Sequence, residues 1–149
     1  RIPTDACVVI VRTEWNAATV DKLEKGCIKI LDEHKVKYMS ITVPGAFEIP
    51  FAVKKYWDIH KYKDDKPCVF IALACVIRGG TPHFDYVAGQ AASGVTAVAL
   101  KIGKPVVFGV LTTDTIEQAI ERAGTKAGNK GADAAMTALE MINLIRKMA

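Results

Sequence analysis

Four short apolar runs, separated by segments with helical spacing, constrain the fold of this chain more than any other feature. The runs at residues 6–11 and 69–77 are uninterrupted, and the first is rich in β-branched side chains. An uninterrupted apolar run is typical of a strand that is buried on both faces, as in a parallel sheet. Two further strands are predicted at residues 38–43 and 105–111, and the sequence therefore favours an α/β fold.

Helices are predicted between these strands and after the last one. Following the first strand, Val20, Leu23 and Cys27 recur at helical spacing, and Asn16 is placed to cap that helix. Further helices are predicted at residues 46–60, 84–102, 115–123 and 132–148. Because crossovers between parallel strands are right-handed, the order βαβαβαβαα places helices on both faces of a sheet of at least four strands. We expect residues 1–149 to form one domain.

The composition argues against several classes of protein. Half of the residues are hydrophobic and 24% are charged, as in ordinary globular proteins. The net charge of +4 is spread along the chain, without a dense Lys/Arg run that would indicate nucleic-acid binding. No apolar stretch reaches the roughly 18 residues of a membrane span, and no signal-peptide pattern opens the chain. We therefore expect a cytoplasmic protein with neither membrane nor nucleic-acid partners. Since the chain opens on Arg1 rather than Met, we expect that N-terminal residues are missing or have been removed.

The four cysteines form no CxxC pair and have no histidine at a spacing suited to zinc. Buried free thiols in a reducing cytoplasm are the favoured interpretation. Two of the three histidines, His34 and His60, lie among charged residues at predicted helix ends and are expected on the solvated surface. The cysteines are Cys7, Cys27, Cys68 and Cys75.

The segment that follows the third strand has the features of an active site. The apolar run stops at Gly79-Gly80, and a helix is predicted to begin shortly afterwards. Ligands of parallel α/β sheets bind where a strand's carboxyl end faces a helix N-terminus. There the amides of Gly80 and Thr81 are placed to hold an anion. Histidine has an ordinary pKa of about 6.5, and His83 is therefore the candidate for proton transfer.

The carboxyl ends of the other strands complete the rim of this predicted crevice. Trp15 follows the first strand, where an indole either stacks on a planar ligand or packs in the ordinary way. Glu48, in an apolar context, is as well explained by a charge at a helix N-terminus as by a ligand contact. Asp114 follows the fourth strand.

Two segments leave alternatives open. Residues 122–131 carry three cations among glycines, but they lack the Walker spacing, and no GxGxxG occurs in the chain. They form either a polar turn or an anion site that is completed elsewhere, for example by an adjacent subunit. The predicted helix at residues 84–102 is rich in small residues, which indicates close packing either on its own sheet or at a subunit interface.

Three long stretches carry a resemblance to a known family. They are residues 43–50 (VPGAFEIP), residues 76–87 (VIRGGTPHFDYV) and residues 113–131, which include IEQAIERAG. Taken together, they resemble lumazine synthase, the family that performs the penultimate step of riboflavin biosynthesis. The resemblance covers nearly the whole chain. It implies a flavodoxin-like fold, a three-layer α/β/α sandwich around a central parallel sheet of four strands.

The resemblance also implies an activity. Members of this family are transferases that condense 5-amino-6-(D-ribitylamino)uracil with 3,4-dihydroxy-2-butanone 4-phosphate. They release phosphate and water and use neither cofactor nor metal. They form homopentamers, and in some members twelve pentamers assemble into an icosahedral 60-subunit shell. The short turn at residues 124–131 is similar to that of the shell-forming members.

Site residues can be carried over by position, beginning with the uracil substrate. Trp15 would stack on the pyrimidine ring, and Val76 and Ile77 would hold the edge of that ring. The ribityl chain would meet backbone groups and one carboxylate, supplied by Ala46, Phe47 and Glu48.

The phosphorylated substrate has its own set of residues. The amides of Gly80 and Thr81, together with Arg122, would bind the phosphate, and His83 would transfer protons. The residues that would reach the site from a neighbouring subunit are Phe108, Arg122 and Lys130.

Two positions depart from the family pattern. Trp15 stands where Phe is frequent, and its larger ring favours tighter binding of flavin-like products. Pro82 stands where Thr or Ser is frequent. Proline has no amide hydrogen, so the anion contacts at Gly80 and Thr81 gain importance.

Two other functions compete with this interpretation. A non-catalytic flavin or lumazine binder would need neither a proton shuttle nor a phosphate site, and the presence of His83, Arg122 and Lys130 argues against it. A flavodoxin-type electron carrier would need a phosphate loop after the first strand, and residues 13–16 offer none.

Overall fold

A parallel sheet forms the centre of the protein, which is described at residues 7–80, 82–124 and 128–149 by a computed structural model. Its strands are β1 (Cys7–Thr13), β2 (Lys37–Val43), β3 (Val69–Ile77) and β4 (Val106–Thr113). All neighbouring strands pair in parallel, in the order β2-β1-β3-β4. The predicted strands are confirmed, although β1 and β4 each extend two residues further than expected. Both extensions lie at the carboxyl ends, where the predicted crevice opens.

Within the described ranges, five α-helices connect and cover the strands. They are α1 (Ala17–Glu33), α2 (Ile49–His60), α3 (His83–Ile102), α4 (Ile116–Arg122) and α5 (Lys130–Met148). A short 3-10 turn, Ala46–Glu48, precedes α2, so that Pro50 falls in the first turn of α2, where it removes no helical hydrogen bond. The last helix begins at Lys130, two residues earlier than predicted, because Asn129 caps it. None of the helices in the described part of the chain is long and apolar enough to cross a membrane.

The two faces of the sheet carry separate hydrophobic cores. Alternate residues of β1 divide between them: Val8 and Ile10 pack with α1 and α5, whereas Val9 and Val11 pack with α2 and α3. All four side chains are fully buried. Burying an aliphatic side chain of this size contributes about 1.5–3 kcal/mol, which explains why these runs contain no polar residue. The result is the expected three-layer α/β/α sandwich.

The small residues of helix α3 differ in burial, and some of them pack within the chain as the first alternative predicts. Ala91 is buried against the sheet, and Gly94 lies so close to Pro50 of α2 that a β-carbon would approach its ring to 2.5 Å. Ala92 and Ala97, in contrast, remain exposed on another side of the helix. Some small residues therefore pack within the chain, and others are left on the surface.

Two surface expectations need correction. Cys27 and Cys75 are buried as predicted, but Cys7 and Cys68 are only half-buried, because they lie at the amino-terminal ends of β1 and β3 rather than in the middle of the sheet. His60 is half-buried instead of solvated. Its ring stacks on Tyr56 with centroids 3.9 Å apart, a contact made possible by their four-residue spacing on α2.

Candidate active site

A crevice of about 220 Å³ opens at the carboxyl ends of β1 and β3. Parallel strands all end at the same edge of the sheet, so segments far apart in sequence meet there. Of the residues predicted to form the site, five line this crevice: Trp15, Ala46, Val76, Ile77 and His83. His83 is the first residue of α3 and faces the crevice from its helix N-terminus.

The loop after β1 presents the Trp15 indole. The amide of Glu14 donates to Val43 O at 2.8 Å and that of Trp15 donates to Pro44 O at 3.2 Å, so that the loop continues the β1–β2 pairing. A β-carbon on Gly45 would lie 2.6 Å from Trp15 Cε3 and Cζ3. The indole therefore rests on glycine backbone. It remains 64% exposed and is available to a planar ligand.

Asn16 has a different role from the predicted one. Its side chain does not cap α1, because the backbone is left-handed there, with φ of 59° and ψ of 40°. Instead, Nδ2 donates to Cys75 O at 2.7 Å and so joins the loop after β1 to the end of β3. Asn is among the residues that tolerate this conformation best. Sequence reasoning missed this link, and nothing in the sequence pattern indicates a bond between residues so far apart.

The turn before α2 contributes Ala46, Phe47 and Glu48. Glu48 Oε1 accepts a hydrogen bond from the Gly45 amide at 3.0 Å, and the carboxylate thereby satisfies a free amide at the start of the turn. Ala46 is buried, whereas Phe47 is exposed and stacks with Tyr86 of α3 at a centroid distance of 6.0 Å. The carboxylate thus holds the turn in place and leaves its second oxygen for other contacts.

The glycine loop after β3 is open to solvent. A β-carbon on Gly79 or Gly80 would meet nothing within 4 Å, which leaves room for a ligand beside the backbone. Thr81, the other predicted anion-binding residue, lies outside the described residues.

Arg78 anchors the start of this loop. Its amide donates to Thr113 O at 2.8 Å, and its Nε donates to Asp114 Oδ1 at 2.7 Å. Nη2 lies 3.4 Å from Asp85 Oδ1, and the guanidinium carbon is 4.4 Å from the centre of the Phe84 ring. The hydrogen bond to Asp114 and the charge of Asp85 raise the pKa of Arg78 above its ordinary value. The sequence placed Arg78 and Asp114 on the same rim, but their pairing follows only from the adjacency of β3 and β4.

Cys75 lines the crevice, but its thiol is not suited to act as a nucleophile. Burial raises the pKa of its thiol to about 11. The thiolate is the reactive form of cysteine, and it is therefore scarce at neutral pH.

Three further predicted residues, Phe108, Arg122 and Lys130, are not among the described residues that line this crevice. Phe108 of β4 and Lys130 of α5 line a separate groove of about 680 Å³ between α3, β4 and α5. Arg122 is exposed at the last residue of α4. The structure thus places Phe108 and Lys130 on a different surface from the crevice, and Arg122 lines neither of the two. In the part of the chain that the structure describes, no group of three or more His, Cys, Asp or Glu side chains is placed to hold a metal ion.

A flavodoxin-like α/β/α sandwich with a crevice that combines an indole, a histidine and an open glycine loop defines an enzyme that acts on small molecules. Comparison with known families is more specific: the model of the 6,7-dimethyl-8-ribityllumazine synthase family matches residues 5–146. This match spans nearly the entire sequence, and the chain belongs to that family. It is a transferase of riboflavin biosynthesis that condenses 5-amino-6-(D-ribitylamino)uracil with 3,4-dihydroxy-2-butanone 4-phosphate.

Proposed function

We propose that the crevice beside Trp15 binds the ribitylamino-uracil, with the pyrimidine stacked on the indole and its edge against Val76 and Ile77. The support is geometric, since these three residues line one cavity and the indole is exposed on a glycine support. Stacking on an aromatic ring of this kind contributes about 0.5–1.5 kcal/mol beyond area burial. The ribityl chain runs past the turn that carries Ala46, Phe47 and Glu48.

The phosphate of the second substrate binds at Gly80 and Thr81, next to the N-terminus of α3. This is supported by the open space around Gly80, where a ligand can approach the backbone closely. Free amides at a helix N-terminus and the helix dipole both favour an anion. Arg122 contributes a full positive charge, with a guanidinium geometry that suits bidentate phosphate binding.

The reaction proposed for this site requires several proton transfers and the departure of one anion, phosphate. The uracil 5-amine attacks the butanone carbonyl, and a first water is lost to give an imine. Phosphate then leaves, and the resulting enol becomes a ketone by proton transfer. The ribitylamino nitrogen attacks this ketone, and loss of a second water closes the bicycle. His83 moves protons between the reacting atoms, a role that contributes about 10²- to 10⁴-fold in rate. Holding two substrates in register supplies more, up to roughly 7–11 kcal/mol. Positioning therefore dominates the catalysis.

The site is completed by a neighbouring copy of the chain, which supplies Phe108, Arg122 and Lys130. One observation carries this proposal: within a single chain Phe108 and Lys130 line a groove that shares no residue with the crevice. That groove is mainly apolar and includes Leu100, which is 81% exposed. An apolar surface of this kind is typical of a subunit contact. The assembly is a homopentamer.

The proposal that this groove is a subunit contact can be tested with a matched pair of substitutions. Leu100→Glu places a charge in the groove, whereas Tyr62→Glu changes an aromatic residue that is 92% exposed and lies outside it. We expect Leu100→Glu to dissociate the pentamer in light scattering and to abolish turnover of the two substrates to fluorescent lumazine. Tyr62→Glu retains both. A Leu100→Glu protein that dissociates and keeps full activity would contradict a shared site, as would an unaltered protein that is monomeric.

Further assembly and location follow from the same features. Twelve pentamers form an icosahedral 60-subunit shell, supported by the short sequence at residues 124–131, which is similar to that of the shell-forming members. Light scattering that finds only pentamers would refute the shell. Residues 1–149 form one domain, and the enzyme works in the cytoplasm, where its four free thiols stay reduced.

A further inference from the structure

The Asn129 carboxamide contacts four backbone groups at the start of α5. Nδ2 donates to Lys22 O at 2.9 Å and to Ala123 O at 3.3 Å. Oδ1 accepts from the amides of Gly131 at 2.8 Å and Ala132 at 3.1 Å. The two donors and the two acceptor positions of the carboxamide are thus all in use.

Two glycines make room for this arrangement. Gly26 lies inside α1, where a β-carbon would overlap the Asn129 carboxamide, and Gly131 lies in the first turn of α5, where a β-carbon would overlap the backbone carbonyl of Leu23. Glycine is unfavourable inside a helix. Its presence at both positions is explained by the close approach of α1 and α5 around Asn129.

The contacts of Asn129 reach the backbone next to two cations. Ala123 directly follows Arg122, and Asn129 directly precedes Lys130. An isolated antiparallel bridge also pairs Ala123 with Asn129. One side chain therefore joins the end of α4 to the start of α5 and ties both to α1.

We propose that Asn129 is a positioning residue, which fixes the backbone of Arg122 and Lys130 relative to each other so that both cations reach the reacting phosphate in the neighbouring subunit. The inference rests on the proposed role of Arg122 in phosphate binding. A displacement of about 1 Å in a positioned group can lower a rate constant about 10²-fold, so a loosened Asn129 has a measurable effect.

The test separates positioning from helix capping. Ser and Asp are both good N-caps, so Asn129→Ser and Asn129→Asp keep an oxygen for the Gly131 and Ala132 amides. Both lose the amide N–H group that donates to Lys22 O and Ala123 O: Asp has no donor, and Ser has a single hydroxyl on a shorter side chain. We expect an increase of about tenfold or more in KM for the butanone phosphate, with the uracil KM within about twofold of the unaltered enzyme. Asn143→Asp, in the same helix, is the control for the added charge.

A third variant perturbs the same contact from another helix. Gly26→Ala displaces the carboxamide from the α1 side, and the same selective rise in KM is expected. If all three variants fold and keep an unchanged KM for the butanone phosphate, Asn129 is only a cap and the inference is wrong.

Combination with Arg122→Ala and Lys130→Ala distinguishes this failure from a failure of the proposed site. If Asn129 acts through the two cations, adding Asn129→Ser to a protein that carries both Arg122→Ala and Lys130→Ala raises the KM no further, because interacting positions are not additive. Multiplied effects would overturn the inference and leave the phosphate role of Arg122 intact. An Arg122→Ala protein with an unchanged KM would refute that role, and the inference with it.

Discussion

The indole of Trp15 rests on the backbone of Gly45, close enough that a single methyl group at Gly45 would lie 2.6 Å from two carbons of the ring. The backbone of Gly45 is extended, with φ of −144°, so any residue can adopt its conformation. Glycine is required here because a β-carbon would overlap the indole, and not because of the backbone conformation. The relationship offers a steric probe of the surface proposed to stack on the substrate.

We expect Gly45→Ala to tilt the indole and to raise KM for the uracil substrate about tenfold, which corresponds to a loss of about 1.4 kcal/mol. Combining it with Trp15→Phe should recover most of the loss, since the smaller ring lacks the outer carbons that the methyl group meets. Steady-state kinetics of the two single variants and the double variant measure this. No interaction between the two changes would show that the ring does not rest on Gly45 in the working enzyme.

Asn16 allows a second prediction, on stability. Asn16→Ala removes the hydrogen bond to Cys75 O and leaves a β-carbon in a left-handed conformation, which together cost about 2–3 kcal/mol. Asn16→Gly removes the same hydrogen bond without the strain, and it should be about 1 kcal/mol more stable than Asn16→Ala. Urea denaturation gives both values. Equal stability of the two variants would contradict the left-handed conformation.

The fold could be predicted from the sequence because the patterns that indicate its strands and helices are local. The uninterrupted run at residues 69–77 predicted β3 to the residue, since burial on both faces excludes polar side chains over the whole strand. The carboxyl end of β1 was harder to predict from the sequence. Arg12 and Thr13 look like a loop, but both are buried in the strand, where Arg12 pairs with Asp21 and Glu24 of α1. Ion pairs between a strand and the following helix leave no periodic signal in the sequence.

Part of the candidate site could be predicted from the sequence for the same reason. Trp15 and His83 follow strands, and a parallel sheet brings strand ends together. The links that hold them, from Asn16 to Cys75 and from Arg78 to Asp114, depend on which strands are neighbours. Strand order is not encoded in the order of the chain, because β1 lies between β2 and β3. The side-chain cap expected of Asn16 was wrong because its backbone is left-handed, a conformation that the sequence pattern did not indicate.

Cys75 leads to a prediction about pH. Burial raises the pKa of its thiol to about 11, above the ordinary value of 9.0, so the folded protein holds this proton more tightly than the unfolded chain. Its contribution to stability is therefore complete below about pH 9 and is lost as the pH rises toward 11. We expect alkylation of Cys75 by iodoacetamide to be very slow at pH 8 and rapid after unfolding in urea. Fast alkylation of the folded protein at pH 8 would contradict the buried thiol.

Replacing His83 and replacing Arg122 should change different kinetic constants. His83→Ala removes a proton-transfer group, so kcat falls by about 10²-fold, the lower end of what such a group contributes, while measurable activity remains and both KM values change little. Arg122→Ala removes a charge-assisted phosphate contact, and KM for the butanone phosphate rises by about 10- to 100-fold. Separate titration of each substrate distinguishes the two patterns. The reverse ranking would count against these roles.

The central claim is that each site takes Trp15 from one chain and Arg122 from the next, and mixing two impaired variants tests it directly. Trp15→Ala and Arg122→Ala are co-expressed in equal amounts, and kcat/KM of the mixed oligomers is compared with that of each variant alone. In a cyclic assembly, about a quarter of the sites then combine two unaltered halves, so the account predicts about a quarter of the activity of the unaltered enzyme. Mixed oligomers no more active than the average of the two variants would contradict it.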